Sequence, residues 1–379
     1  MNPLKANLAG VGYCLIEIET GIISRVERLG PEDPAAPFCS PGFVDVQING
    51  FAGINFSAPD FSVEDIGRIL PALWATGCTS FCPTLITNSR AGFERNFALL
   101  ETARREIPGF AASAPCYHLE GPYLSPGPSH GAHDPALMHA PDWTEFQSLQ
   151  SAAGGQIGIV TLAPELPGAL EFTRRASQAG VVVAVSHTDG TPEDVHQAVA
   201  AGATLSTHLG NGCPQIIHRH RAPFWAQLAS DGLYASIICD GFHLPPEHVK
   251  IIHRVKGLDR CILVTDAVHV ARLTPGRYTL GGGEIDLLPT GQVVTANGNS
   301  MAGSTLSMDD AVTNFMRMAG VSLAEALVPA TRSPAALLKR KSVCRQVVAN
   351  EVANLTVFEL RSGKVVVQQT ILAGKRVHG

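Results

Sequence analysis

Between residues 42 and 267 the chain passes through eight short apolar segments separated by stretches of helical pattern, and this alternation constrains the fold more than any other feature. The segments are GFVDVQI (42–48), CTSFCPTL (78–85), PCYHLE (115–120), IGIVTLA (157–163), VVVAVSH (181–187), TLSTHL (204–209), YASIICD (234–240) and CILVTDA (261–267). A strand that stays apolar throughout is buried on both faces, as in a parallel sheet covered by helices. The intervening stretches VEDIGRILPALWATG, EFTRRASQAG, PEDVHQAVAAG and PEHVKIIHRVKG each close on glycine, a preferred residue at a helix C-terminus. Eight strands with intervening helices match an α/β chain folded as a (β/α)8 TIM barrel. An open doubly wound sheet is the competing arrangement, but no glycine-rich phosphate fingerprint follows the first strand.

The two ends read differently. YCLIEIET and IISRVERL near the start, and ANLTVFEL and KVVVQQTILAGKRV near the finish, are strands broken by turns. Isolated hairpins are marginal in water, so pairing the two ends is the physically sensible outcome. We therefore expect a small β-sandwich domain from residues 1–41 plus 342–379, and a barrel domain over 42–341. Residues 273–300 read as an irregular or hairpin insertion after the eighth strand, and a helix from about 304 to 319 completes the barrel.

Bulk composition excludes several classes. Hydrophobic residues at 45% and charged residues at 16% describe a compact globular chain. A net charge of -5 leaves no basic stripe for nucleic acid and no polybasic patch for a membrane surface. The nine cysteines include no CxxC pair, and most lie in apolar runs where a reduced buried thiol is the default. Glu17 and Glu19 interrupt the first apolar stretch, so no signal peptide is expected and a cytoplasmic protein is.

Four of the apolar runs carry, at or just before their last position, a residue that binds metals or carries protons: Glu120, His187, His208 and Asp266. A polar residue closing a buried strand needs a partner or a task. In a barrel such residues gather at the C-terminal face, where active sites form. Two imidazoles and a carboxylate make a three-ligand set with a position open for water, and a divalent ion there brings the pKa of that water to roughly 7. Asp266 suits the general base. His118 alternates with Glu120 and reads as a residue that supports a ligand. His133 could donate to a substrate carbonyl, and His243 has the same two readings of substrate contact or solvated loop. Asn211 and Gly212 could offer amide contacts, and the basic cluster His218, Arg219, His220, Arg221 could bind an anion.

The segments PGFVDVQING, HLEGPYLSP, GAHDP, VTLAPE, VSHTDGT, STHLGNG, CDGFHLP, LVTDA, MAGSTLSM and ATRSPAALL, in that order from about residue 41 to 340, resemble the amidohydrolase superfamily. Within it they resemble the N-acetylglucosamine-6-phosphate deacetylase family. The resemblance implies that Glu120, His187 and His208 hold the metal and that Asp266 is the catalytic acid/base. It also implies that Ala132 and His133 meet the substrate, His133 polarising the acetyl carbonyl. Asn211, Gly212 and His243 would contact the sugar or its phosphate, and Met301, Ala302 and Gly303 would line the acetyl pocket. Many superfamily members end strand one in His-x-His. Gln47-Ile48-Asn49 stands there here, and neutral amides are poor zinc ligands, which implies one divalent ion per subunit, Zn²⁺ with Fe²⁺ or Co²⁺ also suited. The family's phosphate arginine matches Arg219 by spacing and Arg221 by its following proline, and the two remain open.

The activity so implied is metal-dependent hydrolysis of N-acetylglucosamine 6-phosphate to glucosamine 6-phosphate and acetate by a homodimer. Alternatives are a deacylase for an unphosphorylated or galactosamine-type N-acetylhexosamine or an N-acyl amino acid, or a non-catalytic sugar-binding barrel. Neither nucleic acid nor a membrane is an expected partner.

Overall fold

The computed structural model describes residues 3–298 and 300–379; Met1 and Asn2 of the expected terminal domain and Asn299 of the expected insertion lie outside the described residues. Eight parallel strands follow one another around a single sheet: β1 (Phe43–Ile48), β2 (Cys78–Ile86), β3 (Tyr117–Glu120), β4 (Ile157–Leu162), β5 (Val182–Val185), β6 (Leu205–Ser206), β7 (Tyr234–Ile237) and β8 (Cys261–Leu263). Every residue of β1, β2 and β4 is buried, the apolar majority together with polar residues such as Asp45, Gln47 and Thr84. The chain is thus a (β/α)8 barrel, and the doubly wound alternative is set aside by the strand order.

Main-chain hydrogen bonds join the segment after β8 to β1. Asp266 N–H donates to Gln47 O (2.9 Å) and Asn49 N–H to Ala267 O (2.8 Å). Inside the same seam the Thr265 hydroxyl donates to Asp45 Oδ2 at 2.5 Å, between residues 220 positions apart. Burial pushes the Asp45 carboxyl up to about 7, against the donors from Thr265 and Gln47 that hold it down.

The helices begin and end where local chemistry directs. Ser62 and Asp65 form a capping box ahead of the helix Val63–Trp74, whose Ile66, Ile69, Leu70 and Leu73 make one buried stripe. Thr191 and Asp194 do the same for Pro192–Ala201, and Gly202 ends that helix in the left-handed conformation. Among the described residues no helix is long and apolar enough to cross a membrane.

The strands β5, β6 and β8 stop two to four residues earlier than the apolar runs implied. The reason is local: His187, His208 and Asp266 have φ of +47°, +33° and +49°. A non-glycine residue in this region costs about 1–3 kcal/mol and cannot continue a strand ladder. Each of these residues therefore turns the chain off the barrel wall at its mouth.

Beyond β8 the expected insertion is a three-stranded antiparallel sheet, Gly276–Leu280, Gly283–Leu287 and Val293–Thr295. Its Leu280, Ile285 and Val293 pack with Ile86, Val268 and Ala302 in a satellite apolar cluster. The following helix runs Met308–Phe315 and continues as one π turn to Gly320. Both termini contribute to a separate seven-stranded sheet, in which Phe38–Pro41 lies between Leu4–Leu8 and Leu355–Arg361. That sheet has its own core, including Ile16, Ile23, Leu355 and Ile371.

The seam yields a stability prediction. Thr265→Val removes a donor from a buried carboxyl and is expected to cost about 1–3 kcal/mol in urea denaturation, with the slope of the transition unchanged.

Candidate metal centre

Glu120 is the last residue of β3, and it meets His187 and His208 at the barrel mouth, all three buried. One ligand atom from each lies within 4.8 Å of the others. Glu120 Oε1 is 3.0 Å from His208 Nε2 and 3.6 Å from His187 Nε2, and the two imidazole nitrogens are 3.2 Å apart. A tetrahedral zinc site with bonds of roughly 2.0–2.1 Å has ligand atoms about 3.3 Å apart, so the observed spacings fit such an ion.

The ring orientations fit as well. His187 Nδ1 donates to Ser129 O (2.9 Å), leaving Nε2 with its lone pair toward the centre. His208 Nδ1 is 3.3 Å from Ser186 Oγ. Burial alone would raise the Glu120 carboxyl, but hydrogen bonds with His187 and His208 hold it well below the usual carboxylate range. Burial alone would lower the His208 ring, yet the same pairing with Glu120 raises it.

Asp266 faces this set from the segment that follows β8. Its Oδ1 accepts from Asn49 Nδ2 (2.7 Å) and Gln47 Nε2 (3.1 Å), and that Gln47 nitrogen also donates to Glu120 Oε1 (2.8 Å). One amide thus bridges the ligand carboxylate and the second carboxylate. Burial, followed by the negative charge of Glu120, pushes Asp266 up to about 6. Gln47 and Asn49 act as donors to carboxylates, a role their side-chain N–H groups suit.

His133 is buried with its ring 4.7 Å from that of His187, centroid to centroid. Its Nδ1 contacts Thr87 Oγ1 at 2.8 Å. Burial and then the neighbouring His187 push its pKa down to about 3, so the ring is neutral at physiological pH. His243 Nδ1 donates to Asp240 Oδ2 (2.6 Å), and two backbone N–H groups hold the other carboxylate oxygen. His118 is not at the mouth. It lies inside the barrel, donating through Nδ1 to Val46 O and accepting at Nε2 from Thr161 Oγ1.

A cavity of about 360 Å³ opens over these residues. Its wall includes Glu120, His187, His208, Asp266, Ala132, His133, Asn211, His243, Met301, Ala302 and Gly303 from the sequence reading. Gly212 lies beneath the wall, and a Cβ there would collide with Ser186 Oγ and the His187 backbone nitrogen, so its smallness lets the loop after His208 pack against the centre. Arg219 and Arg221 are exposed and do not line the cavity. Their loop does reach it through Cys213, Pro214, Gln215 and Ile217.

Sequence reasoning missed Thr87, Asp240, Phe224 and His248, the last two also in the wall. Asp240 was within reach, because an aspartate three residues before His243 is a common imidazole partner. Thr87 left no local signal, lying 46 positions from the histidine it touches.

Comparison with known proteins follows the same outline. The amidohydrolase family model matches residues 38–377. The N-acetylglucosamine-6-phosphate deacetylase of Bos taurus is 36% identical over 320 residues, covering 80% of this chain and 75% of its own. The N-acetylgalactosamine-6-phosphate deacetylase of Escherichia coli O157:H7 is 31% identical over 328 residues, with 85% and 84% covered. Among solved structures, N-acetyl-D-glucosamine-6-phosphate deacetylase from Mycobacterium smegmatis superposes with a TM-score of 0.89 at 30% identity, over 99% of both chains.

The metal reading has a direct check. Loading the metal-free protein with zinc at 100-fold excess over its dissociation constant is expected to raise unfolding stability by about 2.7 kcal/mol. His208→Ala is expected to abolish both that gain and the bound metal measured by elemental analysis.

Proposed function

The chain belongs to the amidohydrolase family, and we propose that it hydrolyses the N-acetyl group of N-acetylglucosamine 6-phosphate, giving glucosamine 6-phosphate and acetate in amino-sugar catabolism. It is a hydrolase of an amide bond. The observation that carries the hydrolytic reading is the buried Glu120, His187 and His208 set, facing Asp266 and His133 across one cavity. A non-catalytic sugar binder has no use for such a set. Similarity to relatives named for the deacetylation of amino-sugar phosphates supports it further.

One divalent ion held by Glu120, His187 and His208, Zn²⁺ or in its place Fe²⁺ or Co²⁺, would supply Lewis acidity and a more acidic water. Asp266 takes the proton of the attacking water and passes it to the departing amine nitrogen. Its raised pKa of about 6 suits an exchange near neutral pH. Gln47 and Asn49 hold its Oδ1 and so orient the carboxylate. His133, neutral, donates a hydrogen bond to the acyl oxygen as charge develops there.

Ala132, Met301, Ala302 and Gly303 enclose the acetyl methyl group beside the apolar cluster that contains Val268 and Leu280. Asn211 and His243 bind the sugar, and Gly212 lets their side of the wall pack against the centre. Arg219 or Arg221 meets the phosphate at the cavity entrance, from the loop whose earlier residues line the wall. The protein acts as a cytoplasmic homodimer in this reading. Exposed Trp225, Ile251 and Val255, on helices that pack together, support pairing with a second copy. A galactosamine-type substrate is the second reading, supported by the relative from Escherichia coli O157:H7.

Two measurements test this. Asp266→Asn is expected to keep the fold and the metal while lowering kcat by about 10²–10⁴-fold; turnover within about tenfold of wild type overturns the assignment. With N-acetylglucosamine, its 6-phosphate and N-acetylgalactosamine 6-phosphate compared, kcat/KM is expected to be highest for N-acetylglucosamine 6-phosphate. Equal rates on the plain sugar overturn the phosphate requirement.

A further inference from the structure

We propose that Thr87 is a positioning residue that fixes the tautomer of His133, so that the ring offers an N–H, and not a lone pair, to the acyl oxygen. This rests on the assignment of His133 as the donor to that oxygen.

Thr87 follows β2 directly and is buried, with 5% of its surface exposed. Its hydroxyl lies 2.8 Å from His133 Nδ1, and its backbone N–H points at the same nitrogen at 3.4 Å. A neutral imidazole carries a single N–H, on one nitrogen or the other. The backbone N–H of Thr87 can only donate, so Nδ1 must present its lone pair. The hydroxyl, which among the described residues has Nδ1 as its hydrogen-bond partner, adds a second donor to the same lone pair. Both protons at Thr87 therefore select the tautomer protonated at Nε2. With the proton on Nδ1 instead, the ring N–H would face the Thr87 N–H, and Nε2 would turn a lone pair toward the oxygen that gathers negative charge.

The chain makes room for this contact next to the metal centre. Gly121, which follows Glu120, has φ of +98°, and a Cβ there would collide with the Thr87 hydroxyl. The glycine thus admits the hydroxyl between the end of β3 and His133. The loop that carries Ala132 and His133 is thereby tied to the end of β2 through the atom that decides which ring nitrogen bears the proton.

The test uses the zinc-loaded enzyme and four variants. Thr87→Val keeps shape and the backbone N–H but loses the hydroxyl, and it is expected to lower kcat about tenfold with KM within about twofold. Thr87→Ser keeps both donors and is expected to stay within about threefold of wild type. In a His133→Gln background, where no tautomer exists, adding Thr87→Val is expected to change kcat by less than about twofold. Nitrogen-15 shifts of His133 are expected to report Nε2–H in the wild type and a mixture in Thr87→Val. An equal loss from Thr87→Val in both backgrounds, or a serine as damaging as valine, overturns the positioning role. A wild-type ring protonated at Nδ1 also overturns it while leaving His133 in contact with substrate. A His133→Gln variant with near-wild-type kcat instead removes the parent assignment, and the proposal with it.

Discussion

The seam between β1 and the segment after β8 sets Asp266 against Gln47 and Asn49 at the barrel mouth. Asp266 N–H to Gln47 O, Asn49 N–H to Ala267 O and Thr265 to Asp45 join residues nearly the whole barrel apart in sequence. Each such bond contributes only about 0.5–1.5 kcal/mol net. Their effect on geometry is larger than their effect on stability. The register they impose brings the Gln47 amide within reach of Asp266 and Glu120 together, and so couples the carboxylate that meets His187 and His208 to the carboxylate proposed to move protons.

Two buried carboxylates at this distance cannot remain alike. Glu120 faces two imidazoles and is held ionised. Asp266 feels burial and the Glu120 charge, which outweigh the opposing pull of the His208 and His243 imidazoles and of the Asn49 amide, and is raised. Environment separates two carboxyl groups into the two states that the proposed ligand and base require, as in other enzymes that run acid and base chemistry on paired carboxylates. Imidazoles at positions 47 and 49 would have offered lone pairs to a second ion. The amides instead offer N–H groups to the carboxylates.

Much of this was legible in the residues. The eight mostly apolar runs announced eight strands, because burial on both faces favours apolar residues at successive positions. The strand-closing Glu120, His187, His208 and Asp266 announced a site, because polar groups at such places need a task. The turn off the ladder at His187, His208 and Asp266 was not legible, since nothing local to these residues demands a positive φ. Nor was the separation of Arg219 and Arg221 from the cavity wall, which depends on the path of the loop that follows His208.

The sequence by itself determined strand count, helix ends, ligand types and the neutral amides at the first strand end, since these follow from periodicity and from the chemistry of single side chains. Only the tertiary structure decided that Gln47 bridges two carboxylates, that Ser129 orients His187, and that Thr87 touches His133. Those pairings span 73, 58 and 46 positions of chain for Gln47–Glu120, Ser129–His187 and Thr87–His133. Strand register and loop path fix them, and no local pattern records either.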